Sequence, residues 1–96
     1  MTEVTFRGEV IEWRGPAPFY FVAVPDALYG EVREAARVAS YGWGCVPVAA
    51  EIEGHGFTTS LIPRDGTYLV PLKNMVRAAI GIALGDVVAM NLRVKD

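Results

Sequence analysis

Residues 46–70, "VPVAAEIEGHGFTTSLIPRDGTYLV", decide the fold class. Val46, Val48, Ala50 and Ile52 point one way and Pro47, Ala49, Glu51 and Glu53 the other, the period of a strand with one buried face. Gly54-His55 then offers a two-residue hairpin turn with glycine first, as a type II′ turn requires. Phe57, Thr59 and Leu61 carry the inner face along the return strand. Asp65-Gly66 gives a second turn, and "TYLV" a third strand. Three strands joined by tight turns make an antiparallel meander, and the rest of the chain has to extend it.

Upstream, residues 3–13 alternate with Val4, Phe6 and Val10 on one face, then Ile11 and Trp13 on the other. A change of face beside Gly8 predicts a bulge or a bend. After "RGPAP", residues 19–24 read as a short strand of aromatic and β-branched residues. Asp26 caps a helix of about 13 residues with Leu28, Val32, Ala35 and Ala39 as its buried stripe. Gly30 inside that helix weakens it, and "SYGWG", residues 40–44, ends it. Downstream, residues 71–80 read as a second helix with Pro71 at its first position, where a missing N–H costs nothing. Gly81 or Gly85 stops it, and a final strand follows with Val88, Met90, Leu92 and Val94 inward. The expectation is one domain over residues 1–96, mainly β with α+β character: a small closed barrel of six strands with two short helices. Closure removes exposed edges that strands this apolar would leave open to aggregation.

Composition bounds the function classes. An apolar fraction of 52% supplies a packed core without metals or disulfides. The net charge of −2 argues against a general binder of nucleic acid or anionic membranes. Cys45 is the single cysteine, so no internal disulfide forms. The first ten residues lack the basic and apolar segments of a signal peptide, and no apolar run reaches membrane-spanning length, so a cytoplasmic location is expected.

The motifs "FVAVPDAL", "GWGCVPV", "F-x-T-S-L-x-P", "PLK-x-x-VR" and a closing "G-D-x-V" occur in order over residues 19–94. In this the chain resembles the bacterial and archaeal family known as domain of unknown function 1905. The resemblance implies a six-stranded β-barrel with two helices, and no activity, cofactor or catalytic residue to carry over.

Lys73 and Arg77, four residues apart, share one helix face, where like charges repel mildly. With the hydroxyls of Thr58, Thr59 or Ser60 they form a candidate seat for a phosphate or carboxylate. The plainer alternative pairs them with Glu51, Glu53 or Asp86 as surface salt bridges. Trp43, between two glycines, offers a ring for stacking, although aromatics in so small a domain usually fill the core. His55 has no partner fixed around a substrate, Ser60 lacks a nucleophile elbow, and Cys45 enters an apolar strand as an inert thiol. The functional expectation is a non-catalytic binding module, without cofactor, that captures an anionic small molecule or acidic segment. Its predicted ligand-binding residues are Lys73, Arg77, Trp43, Thr59, Ser60 and Arg64. The alternative is a protein-interaction module or homodimer acting through an apolar barrel face.

Overall fold

The computed structural model describes residues 2–13, 19–39 and 45–94. Its elements are β1 (Thr2–Glu9), β2 (Ile11–Trp13), β3 (Phe19–Ala23), α1 (Asp26–Ala39), β4 (Val46–Ile52), β5 (His55–Arg64), β6 (Thr67–Leu72), α2 (Asn74–Ile80) and β7 (Val87–Val94). The fold is mainly β, as the alternation predicts. The sheet order is β1-β7-β4-β5-β6-β3-β2, with the described ladders all antiparallel. Two expectations are corrected here. The described residues form seven strands rather than six, and the sheet is an open half-barrel rather than a closed barrel.

The extra strand arises two residues past Gly8, through which the β1–β7 ladder runs unbroken. The alternating segment 3–13 breaks at Val10, so one stretch of chain supplies two strands, and these stand at opposite ends of the sheet order. The break is held by backbone bonds: the Val10 N–H donates to the Asp86 carbonyl at 2.8 Å, and the Gly85 N–H donates to the Val10 carbonyl at 2.9 Å. Gly8 also lets β1 pass close over β3. A Cβ placed on Gly8 would stand 2.6 Å from Val22 Cγ1.

β5 is a second dividing strand. Residues His55–Leu61 pair with β4, whereas only Ile62–Arg64 pair with β6. The ten-residue strand therefore hands over from one neighbour to the other between Leu61 and Ile62. Leu61, fully buried at that junction, packs in the core with Ile52, Met90 and Leu92.

The first hairpin turn is shifted by one residue from its expected place. Ile52 faces His55 across the first hairpin, so the turn residues are Glu53 and Gly54, at φ 50° and 81°, and His55 opens β5. Positive φ at both positions makes this a type I′ turn, not type II′. Asp65-Gly66 forms its turn as expected, at φ 50° and 77°.

α1 covers the inner face, burying Val32, Ala35 and Ala36. Tyr29 of this helix stacks on Tyr68 of β6 at 5.6 Å, and burial pushes the Tyr68 hydroxyl pKa up. Residues 40–44, expected to end the helix, lie outside the described residues. Gly30 has open space where a Cβ would go and no positive φ. Gly30→Ala is therefore expected to raise the unfolding free energy by up to about 1 kcal/mol, or roughly 4–8 °C in midpoint. Thermal denaturation checks it.

The second helix is shorter than its sequence implies. α2 begins at Asn74, with Lys73 as N-cap and Gly81 closing it in the left-handed conformation. Pro71 belongs to β6, opposite Phe21 of β3. A proline suits a strand edge where no partner needs its N–H as well as it suits a helix start, and here the first option applies.

Candidate functional site

The handover in β5 opens a cleft. Antiparallel register with Ile62 opposite Leu69 would set Ser60 opposite Pro71 and Thr58 opposite Lys73, but the β5–β6 ladder ends at Leu69. Pro71 accounts for the ending, because it brings no N–H to the Ser60 position and the pair loses one of its bonds. Beyond it β6 leaves toward α2, while β5 continues beside β4. The space between measures about 710 Å³ and is lined by Cys45, Pro47, Ala49, Thr58, Thr59, Ser60, Ile62, Pro71 and Lys73, with Val48 at its floor. That lies within the size range of ligand pockets, roughly 300–1,000 Å³.

Its lining is mostly apolar and small, with hydroxyls along the β5 wall and a single charged side chain, Lys73, among the described residues. Lys73 is exposed and makes no side-chain cap for α2. None of the described carboxylates lines the cleft. Asp86, one candidate partner, accepts from the Ala83 N–H at 2.8 Å in the turn before β7. A second cation stands one strand beyond the β4 wall: Arg93 of β7 pairs in register with Ala49, and its Nε is buried without a hydrogen-bond partner.

Three of the six predicted residues, Lys73, Thr59 and Ser60, meet in this cleft. Two others are elsewhere. Arg77 lays its guanidinium over the Tyr20 ring, 3.8 Å from the centroid, and donates to Asn74 Oδ1. It tethers α2, none of whose residues is buried, to β3. Arg64 stacks on Trp13 at 3.4 Å and pairs with Asp65 at 3.7 Å. Trp13 in turn meets Phe19 at 6.4 Å, and Phe19 meets Phe21 at 5.5 Å, an aromatic row on the sheet face opposite the main core. Trp43 lies outside the described residues.

Sequence reasoning missed Cys45, Pro47, Ala49, Ile62 and Pro71 as lining. A signal was present: the outward positions of β4 and β5 carry Pro, Ala and Ile where a solvated face would carry charge. Cys45 is half-buried at the cleft rather than sealed in the core. His55 sits at the hairpin, its Nδ1 3.3 Å from the Glu53 carbonyl. No group of His, Cys, Asp and Glu among the described residues is arranged to hold a metal ion. No described helix is long and apolar enough to cross a membrane.

Residues 6–92 match the family described as "Domain of unknown function (DUF1905)". No curated protein matches the chain.

Proposed function

Because the chain belongs to the DUF1905 family, whose description assigns no activity, we propose from the cleft itself that it is a non-catalytic binding module taking an anionic group at Lys73. One observation carries this reading: the cleft's charged lining residue is a lysine, and none of the described carboxylates lines the cleft with it. An ammonium group in a largely apolar recess binds a carboxylate or phosphate more strongly than one in open water. Thr58 and Thr59 supply neutral donors alongside it. Arg77 serves this site indirectly, by fixing the helix that follows Lys73.

Thermal unfolding against a panel of anionic metabolites and nucleotides tests the proposal. A ligand at 100 times its dissociation constant adds about 2.7 kcal/mol, a midpoint rise of roughly 10–20 °C. The rise is expected to vanish in Lys73→Ala and to persist in Arg77→Ala. A rise that survives Lys73→Ala, or no rise with any compound, contradicts the reading.

A second reading, self-association through an apolar face, has its own observation. Met75 is 84% exposed and, with Phe57, Val76, Ala79 and Ile80, borders a shallow recess of about 190 Å³. Concentration-dependent mass, lost in Met75→Glu, favours it.

A further inference from the structure

We infer that the cleft takes a small carboxylic acid with an apolar body, its single negative charge at Lys73 and its body toward Ile62. The inference rests on the binding reading above and names the ligand class.

The cleft has two unlike ends, and strand pairing sets them. β5 and β6 are joined at Ile62, which pairs with Leu69, and they part beyond it. Ile62 therefore lines the closed end. Cys45, half-buried, belongs to that end too, since it directly precedes Val46, the partner of Leu61. Lys73 stands four residues past Leu69 along the other wall, in extended backbone at φ −70° and ψ 155°. Strand rise puts it about 13 Å from the closed end. Between the two ends the walls are apolar, with Pro71 on one side and the outward positions Pro47 and Ala49 on the other.

Thr58 adds a backbone donor for a head group. The Val24 N–H donates to the Tyr68 carbonyl at 2.9 Å, so alternation turns the backbone groups of Leu69 and Ile62 toward each other. A period of two gives Thr58 the direction of Ile62, past the end of the ladder and into the cleft. Thr59 and Leu61 face β4 instead.

Charge selects one carboxylate. Lys73 is the single charged residue among the described lining, so one negative charge balances it. Arg93, opposite Ala49 on the neighbouring strand, does not line the cleft. Glu51 is exposed on the same face of β4, two residues past Ala49. The second charge of a phosphate monoester would meet that carboxylate and no further cation, and would lose water without a partner. Burial selects the body. Acetate would occupy the Lys73 end alone and leave Ile62, Pro71 and Pro47 in water, whereas each methylene buried against them is worth about fourfold in affinity.

The test titrates the protein with straight-chain acids from acetate to decanoate, below their micelle concentrations, with octanol and octyl phosphate as comparisons. Calorimetry gives affinities, and the rate of Cys45 alkylation by iodoacetamide reports on the closed end. Affinity is expected to rise about fourfold per methylene until the cleft is full, and only the longer acids to slow Cys45. Octanoate is expected to bind about tenfold more tightly than octanol, to bind more tightly than octyl phosphate, and to fall to the octanol level in Lys73→Ala. Acids that bind alike whatever their length, or tighter binding of octyl phosphate, overturn the apolar monoacid while anion capture at Lys73 stands. Octanoate bound with Cys45 alkylated at its free rate overturns it as well, since the body then lies elsewhere. Octanoate affinity unchanged in Lys73→Ala, or no binding of any acid or of octyl phosphate, overturns both readings.

Discussion

Leu61→Ala is expected to lower the unfolding free energy by about 2–5 kcal/mol, since a fully buried leucine leaves a cavity its neighbours fill only in part. A domain of this size has about 5–15 kcal/mol in all. The residue is completely buried, and it stands where β5 passes from β4 to β6. There it packs among side chains from several strands, so no single strand can move to close the space. Urea denaturation checks the value, with the m-value unchanged if the native state keeps its compactness. A loss below about 1 kcal/mol would mean the junction collapses easily and is not the fixed point argued here.

Gly8→Ala, a single added methyl, is expected to cost about 1–3 kcal/mol. The new Cβ would stand 2.6 Å from Val22 Cγ1 and 3.7 Å from the Ala23 carbonyl oxygen. Val22 is fully buried, so its methyl group can give way only by displacing core neighbours. The same substitution at Gly30 has the opposite expected sign, which separates local crowding from any general effect of replacing glycine. Val22→Ala removes the clashing methyl, so the double variant is expected to cost less than the sum of the singles. Strict additivity would show that β1 and β3 do not approach so closely at this point.

Much of the fold was readable because it follows from local alternation. Val46 to Ile52 and Val88 to Val94 bury the residues their period of two selects, whereas of Phe57, Thr59 and Leu61 only Leu61 is fully buried. The break at Val10 was readable from the change of face between Val10 and Ile11, although it falls two residues past Gly8, where the ladder is regular. What alternation cannot report is a strand's partner. β5 exchanges β4 for β6 without any signal in its sequence, so the cleft was not visible in it. Pro71 misled for a related reason: a missing N–H is tolerated at a helix start and at an unpaired strand edge alike, and only the ladder decides between them.

The candidate site divides the same way. Thr59, Ser60 and Lys73 were found because the turn and the proline bring them near one another in sequence. Arg77 was grouped with Lys73 on the assumption that both lie within one helix, but Lys73 precedes α2, and Arg77 turns to Tyr20, more than fifty residues away in the chain. Arg64 finds Trp13 across the sheet in the same manner. Cation–aromatic contacts of this range depend on the tertiary fold, and no sequence spacing announces them.

The parting of β5 from β6 underlies both the cleft and the role of Lys73. Amide hydrogen exchange along β5 in the free protein tests it most directly. The account predicts strong protection at Thr59 and Leu61, which bond to β4, and fast exchange at Thr58, whose N–H faces the cleft. Protection at Thr58 equal to that at Thr59 would mean that the two strands remain paired there, and would contradict it.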